Sequence, residues 1–192
     1  MTKKLCIFAS GTGSNAKKII DHFKNSSIAE VSLIISDKSN VGVLSIAQQE
    51  NISWKVLNKG ELLTESFVNT LRDQNISLII LAGFLKLIPL SLIRAFPDRI
   101  INIHPALLPK YGGKGMYGMN VHQAVKDNHE TTSGITIHYV NEHFDDGLHI
   151  FQASCQVDAE DTPQIIARKV QALEHGYFAM VIEQVLHQKQ LS

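Results

Sequence analysis

The chain has 192 residues against a domain-size prior of about 150, so the expectation is one compact domain that buries about 70% of its extended surface on folding. Hydrophobic residues make up 44% and charged residues 19%, which excludes disordered, collagen-like and disulfide-dense compositions. The 18 Lys and Arg balance the 18 Asp and Glu, leaving no bulk positive field to gather nucleic acid and favouring small ligands.

Leu5 to Ala9 is an apolar run that enters a glycine loop and then a helical pattern through about Asn25, a strand, loop and helix in succession. The pattern recurs as strand Val31 to Ser36, helix Gly42 to Glu50, strand Ile52 to Leu57, helix Glu61 to Asp73 and strand Leu78 to Ala82. A short helix from Pro89 to Phe96 and a strand from Ile100 to His104 follow. Alternating units with continuously apolar strands predict an α/β, Rossmann-like fold, a mostly parallel twisted sheet with helices on both faces. After Pro105 come a glycine-rich loop from Lys110 to Asn120 and a helix near Val121 to Lys126. Strands Ser133 to Val140 and His149 to Val157, joined by an acidic turn, have no room for a crossover helix and predict an antiparallel extension. Asp161 is placed to cap a last helix whose apolar face is Ile166, Val170, Leu173, Tyr177 and Val181.

The longest apolar run, Leu78 to Leu85, has eight residues where a membrane helix needs about 18. Leu5 to Ala9 is too short for a signal-peptide core, so a cytoplasmic chain without a membrane segment is expected. Cys6 and Cys155 read as free thiols. His138, His143 and His149 lack metal-ligand spacing, and no metal is expected.

Three segments carry chemistry. In Gly11-Thr12-Gly13-Ser14-Asn15-Ala16 the glycines expose backbone N–H groups at a helix start, which suits an anion or simply makes a tight turn. With Asp37 after the second strand, the loop also satisfies a permissive dinucleotide fingerprint. In Ile101-Asn102-Ile103-His104-Pro105, strand alternation projects Asn102 and His104 from one face, and Pro105 holds His104 extended. An amide donor beside an imidazole suits acyl transfer, although the pair could merely satisfy backbone groups. Asp145 and Asp146 precede Gly147 in the acidic turn; one of them could orient His104, or both could face solvent.

Together these segments resemble the folate-dependent formyltransferase family, in its glycinamide ribonucleotide transformylase (phosphoribosylglycinamide formyltransferase) branch, over essentially the whole chain. The resemblance rests on the Ser10 to Asn15 loop, Leu81-Ala82-Gly83-Phe84-Leu85, and Asn102-Ile103-His104-Pro105 continuing to Pro109. It extends through Gly134 to Val140, Asp145 to Ile150, Gln152, Gln171 and Glu174-His175. It implies transfer of the formyl group of 10-formyltetrahydrofolate, a cosubstrate, to the amine of glycinamide ribonucleotide in purine biosynthesis, by direct attack through a tetrahedral intermediate. Asn102, His104 and Asp145 are then the catalytic residues, with Asp145 chosen over Asp146 by its spacing to Gly147 and Gln152. Gly11, Thr12, Gly13, Ser14 and Asn15 would hold the phosphate, a side chain at Gly13 mainly blocking ribonucleotide approach. Gly83, Pro105, Gln171 and Glu174 would contact the rest of the ribonucleotide. Leu81, Leu85, Lys86, Leu87 and Ile88, with Asn102, Val140, Asn141, Glu142, His143 and Phe144, would enclose the folate pterin.

The implied chain is a single domain, residues 1–192, with a phosphate-binding half to about residue 100 and a catalytic, folate-binding half beyond it. The implied partners are small molecules, not nucleic acid or membrane, and the chain is expected as a monomer or weak homodimer. Two segments depart from the family pattern: Lys110 to Asn120 lacks the usual histidine-bearing loop, and Asn58 to Thr64 offers only Lys59 toward a folate tail. A methionyl-tRNA formyltransferase would need a further C-terminal domain, and a formyltetrahydrofolate hydrolase a further N-terminal one. An NAD-dependent oxidoreductase using the Gly11 to Gly13 loop and Asp37 is the alternative, and it leaves Asn102 and His104 unexplained. A non-catalytic nucleotide-binding regulator fits poorly with converging amide, imidazole and carboxylate groups.

Overall fold

Leu5 to Phe8 have no exposed surface, so the first strand, β1 (Lys3–Phe8), is covered on both faces as a central parallel strand must be. The structure, a computed structural model, describes residues 2–188 and divides after Asn102 into two compact units. In the first unit, helix α1 (Ser14–Phe23) buries Ala16, Ile19, Ile20 and Phe23, spaced by three and four along one face. Strand β2 (Ala29–Ser36), helix α2 (Gly42–Gln49) and strand β3 (Ser53–Val56) follow, with β1–β2 and β2–β3 both paired parallel. The chain then returns through helix α3 (Glu65–Asp73) to β4 (Ile76–Leu81), which pairs parallel with the other side of β1. Helix α4 (Leu90–Ala95) leads to β5 (Ile100–His104), parallel to β4.

Right-handed crossovers fix the rest. The steps from β1 to β3 run one way and those from β4 to β5 the other, so α1 and α2 cover one face and α3 and α4 the opposite face. The direction reverses between β1 and β4, and this switch point sets the loop after β1 beside the loop after β4.

The second unit contains helix α5 (Met119–Asp127), strands β6 (Thr132–Tyr139) and β7 (His149–Gln156), and helix α6 (Pro163–Gln188). β6 and β7 pair antiparallel, as their lengths and the acidic turn predict. The complete order β3-β2-β1-β4-β5-β6-β7 is a mostly parallel seven-stranded sheet ending in that antiparallel pair. Among the described residues no helix is long and apolar enough to cross a membrane.

Three expectations need correction. The helix read from Glu61 to Asp73 is two pieces, a 3-10 turn over Glu61–Leu63 and then α3. Thr64 between them is extended, and its hydroxyl accepts from Phe67 N at 3.2 Å, a cap that periodicity alone conceals. At α6, Thr162 rather than Asp161 faces the first turn, its Oγ1 accepting from Ile165 N at 3.3 Å. Asp161 instead accepts from Asp158 N and Lys169 Nζ. The buried stripe of α6 is broader than expected: Ile166, Val170 and Val181 are buried as the spacing predicts, Leu173 is half-buried, Tyr177 is exposed, and Phe178 and Ile182 join the buried set. Tyr177 lies against Phe151 of β7, 5.0 Å between ring centres, so its aromatic surface is used at the rim.

Candidate active site

The loop after β1 is built on backbone. Ser10 N donates to Gly83 O at 3.1 Å and Ser10 Oγ accepts from Leu85 N at 3.3 Å, which ties the glycine loop to the segment following β4. Gly13 sits at φ 83° as the N-cap of α1, with no side-chain cap hydrogen bond, so the positive end of that helix begins on main chain. A Cβ at Gly13 would lie 2.8 Å from the Val43 backbone, whereas at Gly11 it would meet nothing within 4 Å. This changes the expectation for Gly13: its lack of a side chain is demanded by packing on α2 and by its left-handed backbone. Gly13→Ala is therefore expected to lower the thermal midpoint by several degrees, about 1–3 kcal/mol, while Gly11→Ala leaves it within a degree. Thermal melts of the two variants check this; equal midpoints would contradict it.

Asn102 and His104 lie two positions apart on β5 and so share one face. His104 is buried, and its ring is held from both sides. Nε2 donates to the Tyr111 carbonyl at 2.7 Å, and Nδ1 lies 3.4 Å from Asp145 Oδ1. The same Asp145 oxygen lies 3.7 Å from His138 Nε2, while His138 Nδ1 donates to the Tyr139 carbonyl at 2.9 Å. Asp145 Oδ2 accepts from Gly113 N at 3.0 Å. Burial alone would push the Asp145 carboxyl up, but the rings of His104 and His138, the charge of His104 and the Gly113 N–H outweigh it. They hold Asp145 well below the usual carboxylate range.

Asp146, the neighbour, turns away and accepts from Asn141 Nδ2 at 3.1 Å. Asp145 reaches inward because its own backbone is left-handed, φ 54°, in a turn that closes over Gly147. A Cβ on Gly147 would lie 1.7 Å from the Tyr139 carbonyl, so only glycine lets β6 and the acidic turn approach this closely.

Sequence reasoning gave no role here to His122 or Thr136, and used Gln152 only as a marker of the family resemblance. His122 on α5 is buried with no hydrogen-bond partner for Nδ1 among the described residues; burial first, and His104 second, push its pKa down. Thr136 is fully buried, accepts from Leu108 N at 2.9 Å and donates to Ala106 O at 2.7 Å. Gln152 Nε2 donates to Thr136 Oγ1 at 2.8 Å and to Leu108 O at 3.1 Å. These two side chains fix the path of the chain just after His104. Strand alternation offers one signal: Thr136 and His138 share a face of β6, and Gln152 is the register partner of Thr136 on β7.

The remaining expected residues are distributed over both units. Leu81 and Ile88 are buried while Leu85 and Leu87 are exposed, leaving apolar surface on an irregular segment. Lys86 Nζ is 3.8 Å from Asp37 Oδ2, so the acid of the dinucleotide reading faces a lysine. In the second unit Val140 and Asn141 are half-buried, Glu142, His143 and Phe144 exposed, and Pro105 half-buried. Gln171 and Glu174 lie one turn apart on α6. Among the described residues no three His, Cys, Asp or Glu side chains are grouped to hold a metal ion.

Residues 3–182 match the family described as formyl transferase. The chain belongs to the formyl transferase family. It is 40% identical to the chloroplastic phosphoribosylglycinamide formyltransferase of Arabidopsis thaliana, over 97% of this chain and 66% of the plant protein. For the Bacillus subtilis phosphoribosylglycinamide formyltransferase the identity is 34%, over 96% of this chain and 95% of that protein. The crystal structure of phosphoribosylglycinamide formyltransferase from Bacillus halodurans superposes with a TM-score of 0.86 at 32% identity, over 96% of this chain and 95% of that one. The chain thus spans slightly less than two thirds of the plant relatives' length, 66% and 62%, and nearly all of the Bacillus subtilis one. Within this formyl transferase fold, His104 and Asp145 come together through segments more than 30 residues apart in sequence.

Proposed function

We propose that this chain transfers the formyl group of 10-formyltetrahydrofolate to the amine of glycinamide ribonucleotide, its two units acting as a single formyltransferase domain. The observation that carries the reading is the buried His104 facing an Asp145 carboxylate held ionised, in a member of this family. Relatives named phosphoribosylglycinamide formyltransferase supply the choice of acceptor.

The start of α1, with Gly11, Thr12, Ser14 and Asn15, receives the phosphate of the ribonucleotide. Glu174 meets its amine, with Gln171, Gly83 and Pro105 along the remainder. The exposed Leu85 and Leu87 beside buried Leu81 and Ile88 offer apolar surface to the pterin, and residues 140–144 offer backbone and polar contacts. The substrate amine attacks the formyl carbon directly. Asn102 donates to the developing oxyanion, and the His104 ring, with the Asp145 carboxylate facing it, supports that charge and returns a proton to the departing folate nitrogen. His104 Nε2–H, held by the Tyr111 carbonyl at rest, turns to the formyl oxygen when substrate arrives. Neither cysteine takes part: Cys6 is buried with its thiol pKa pushed well up by burial, and no acyl-enzyme forms.

The test is incubation with glycinamide ribonucleotide and 10-formyltetrahydrofolate, following loss of the formyl group from the folate. Formyl loss that requires the ribonucleotide and yields one formylated amine per folate is expected. Loss without the ribonucleotide would identify a hydrolase, and no loss would remove the proposal.

A further inference from the structure

Tyr111 is the residue whose backbone carbonyl holds His104, and it carries φ 58°, a left-handed conformation that a bulky side chain does not adopt without support. That support comes from Glu130. Tyr111 OH donates to Glu130 Oε1 at 2.9 Å, and Lys110 Nζ lies 2.8 Å from the same oxygen. Two adjacent loop residues are thus gripped by one carboxylate from the segment after α5. Two residues further on, Gly113 N donates to Asp145 Oδ2. The loop therefore delivers one main-chain acceptor to His104 and one main-chain donor to Asp145, and its only described side-chain anchor at this end is the Glu130 carboxylate.

We infer that Glu130 is a positioning residue: by clasping Tyr111 and Lys110 it fixes the loop whose backbone aims the His104 ring and secures Asp145. This rests on the reading of His104 and Asp145 as the reacting pair. The phenol remains a donor throughout the working range, since burial first and the Glu130 carboxylate next push its pKa up to about 12. Glu130 itself is held below the usual carboxylate range, first by Lys110 and then by Tyr111, so the clasp stays charged at neutral pH. Glu130, the carboxylate of the clasp, lies 26 residues after His104 in sequence and reaches it only through Tyr111.

The test uses the full-length protein and the variants Glu130→Ala, Tyr111→Phe, their double variant and Glu130→Gln, whose amide oxygen still accepts from the phenol. Either single change is expected to lower kcat about tenfold with both KM values within about twofold, because a misaimed acid slows the chemical step more than binding. The double variant should lose no more than the worse single, since both changes cut one connection, and Glu130→Gln should recover most of the loss. Independently of activity, the hydrogen-bonded Nε2 proton of His104, followed by NMR, should be visible in the wild type and lost in Glu130→Ala and Tyr111→Phe. Unchanged kcat and NMR signal, losses that multiply in the double variant, or a loss confined to thermal stability would overturn the inference. If the wild type transfers no formyl group, the NMR comparison still decides whether the clasp positions His104, so the two failures are told apart.

Discussion

Asp145→Asn should reduce kcat on the order of 10³-fold while leaving the affinities for both substrates near those of the wild type, and Asp146→Asn should change kcat less than about threefold. The difference follows from where the two carboxylates point. Asp145 stands between two imidazoles and accepts from Gly113 N, whereas Asp146 faces Asn141 at the surface. An amide at 145 preserves the shape but removes the negative charge that faces the His104 ring. The pH dependence follows with a definite sign. Because the folded carboxyl titrates far below its unfolded value near 4, Asp145 is ionised across the whole neutral and mildly acidic range. Its contribution to stability is present above about pH 4 and is lost only as pH falls through the depressed folded value. The acid limb of the kcat/KM profile should accordingly not come from Asp145. Turnover and both binding constants for the two variants are the measurement; an inactive Asp146→Asn beside a near-normal Asp145→Asn would reverse the assignment.

Asn102→Ala is the second large effect, a fall of about 10² to 10³ in kcat, or about 3–4 kcal/mol, with KM values changed little. Asn102 lies on the face of β5 that carries His104, and in the proposed reaction its amide N–H donates where charge develops in the transition state rather than in the bound substrate. Asn102→Asp should be worse than alanine, because a carboxylate there repels the oxyanion and accepts where a donor is needed. Steady-state kinetics with both substrates varied separate these cases. A loss confined to KM would mean that Asn102 binds substrate uniformly and has no special hold on the transition state.

Much of this was legible in the chain. The apolar runs of β1 and β4 and the face spacing of α1 are direct consequences of being covered on two sides or one, and the same patterns predict them. Ends were harder: Thr64 and Thr162 cap helices whose periodicity runs straight past them, and the choice between Asp161 and Thr162 depends on a lysine at 169 that competes for the aspartate. The broader stripe of α6 was hidden because Leu173 and Tyr177 continue the apolar spacing while packing decides for Phe178 and Ile182. At the site, side chains with unusual chemistry at fixed spacing, Asn102, His104 and Asp145, could be picked out. The Tyr111 carbonyl and the Gly113 N–H could not, because every residue but proline carries such groups and only the fold selects two of them. Thr136, His122 and Glu130 fell between these cases, being ordinary residues until their partners are known.

Tyr111 and Asp145 share one further property: each is a non-glycine residue on a left-handed backbone, and each serves His104. Such conformations cost on the order of 1 kcal/mol, more for the bulky Tyr111 than for Asp145, and at position 111 glycine or asparagine would largely recover it. Selection for thermal robustness alone, blind to turnover, would therefore drift toward those residues at position 111, whereas at 145 the ionised carboxylate between its partners offsets the strain. Position 111 is where adaptation to heat and retention of activity pull the sequence in opposite directions, and a library built to harden the protein should hold it fixed.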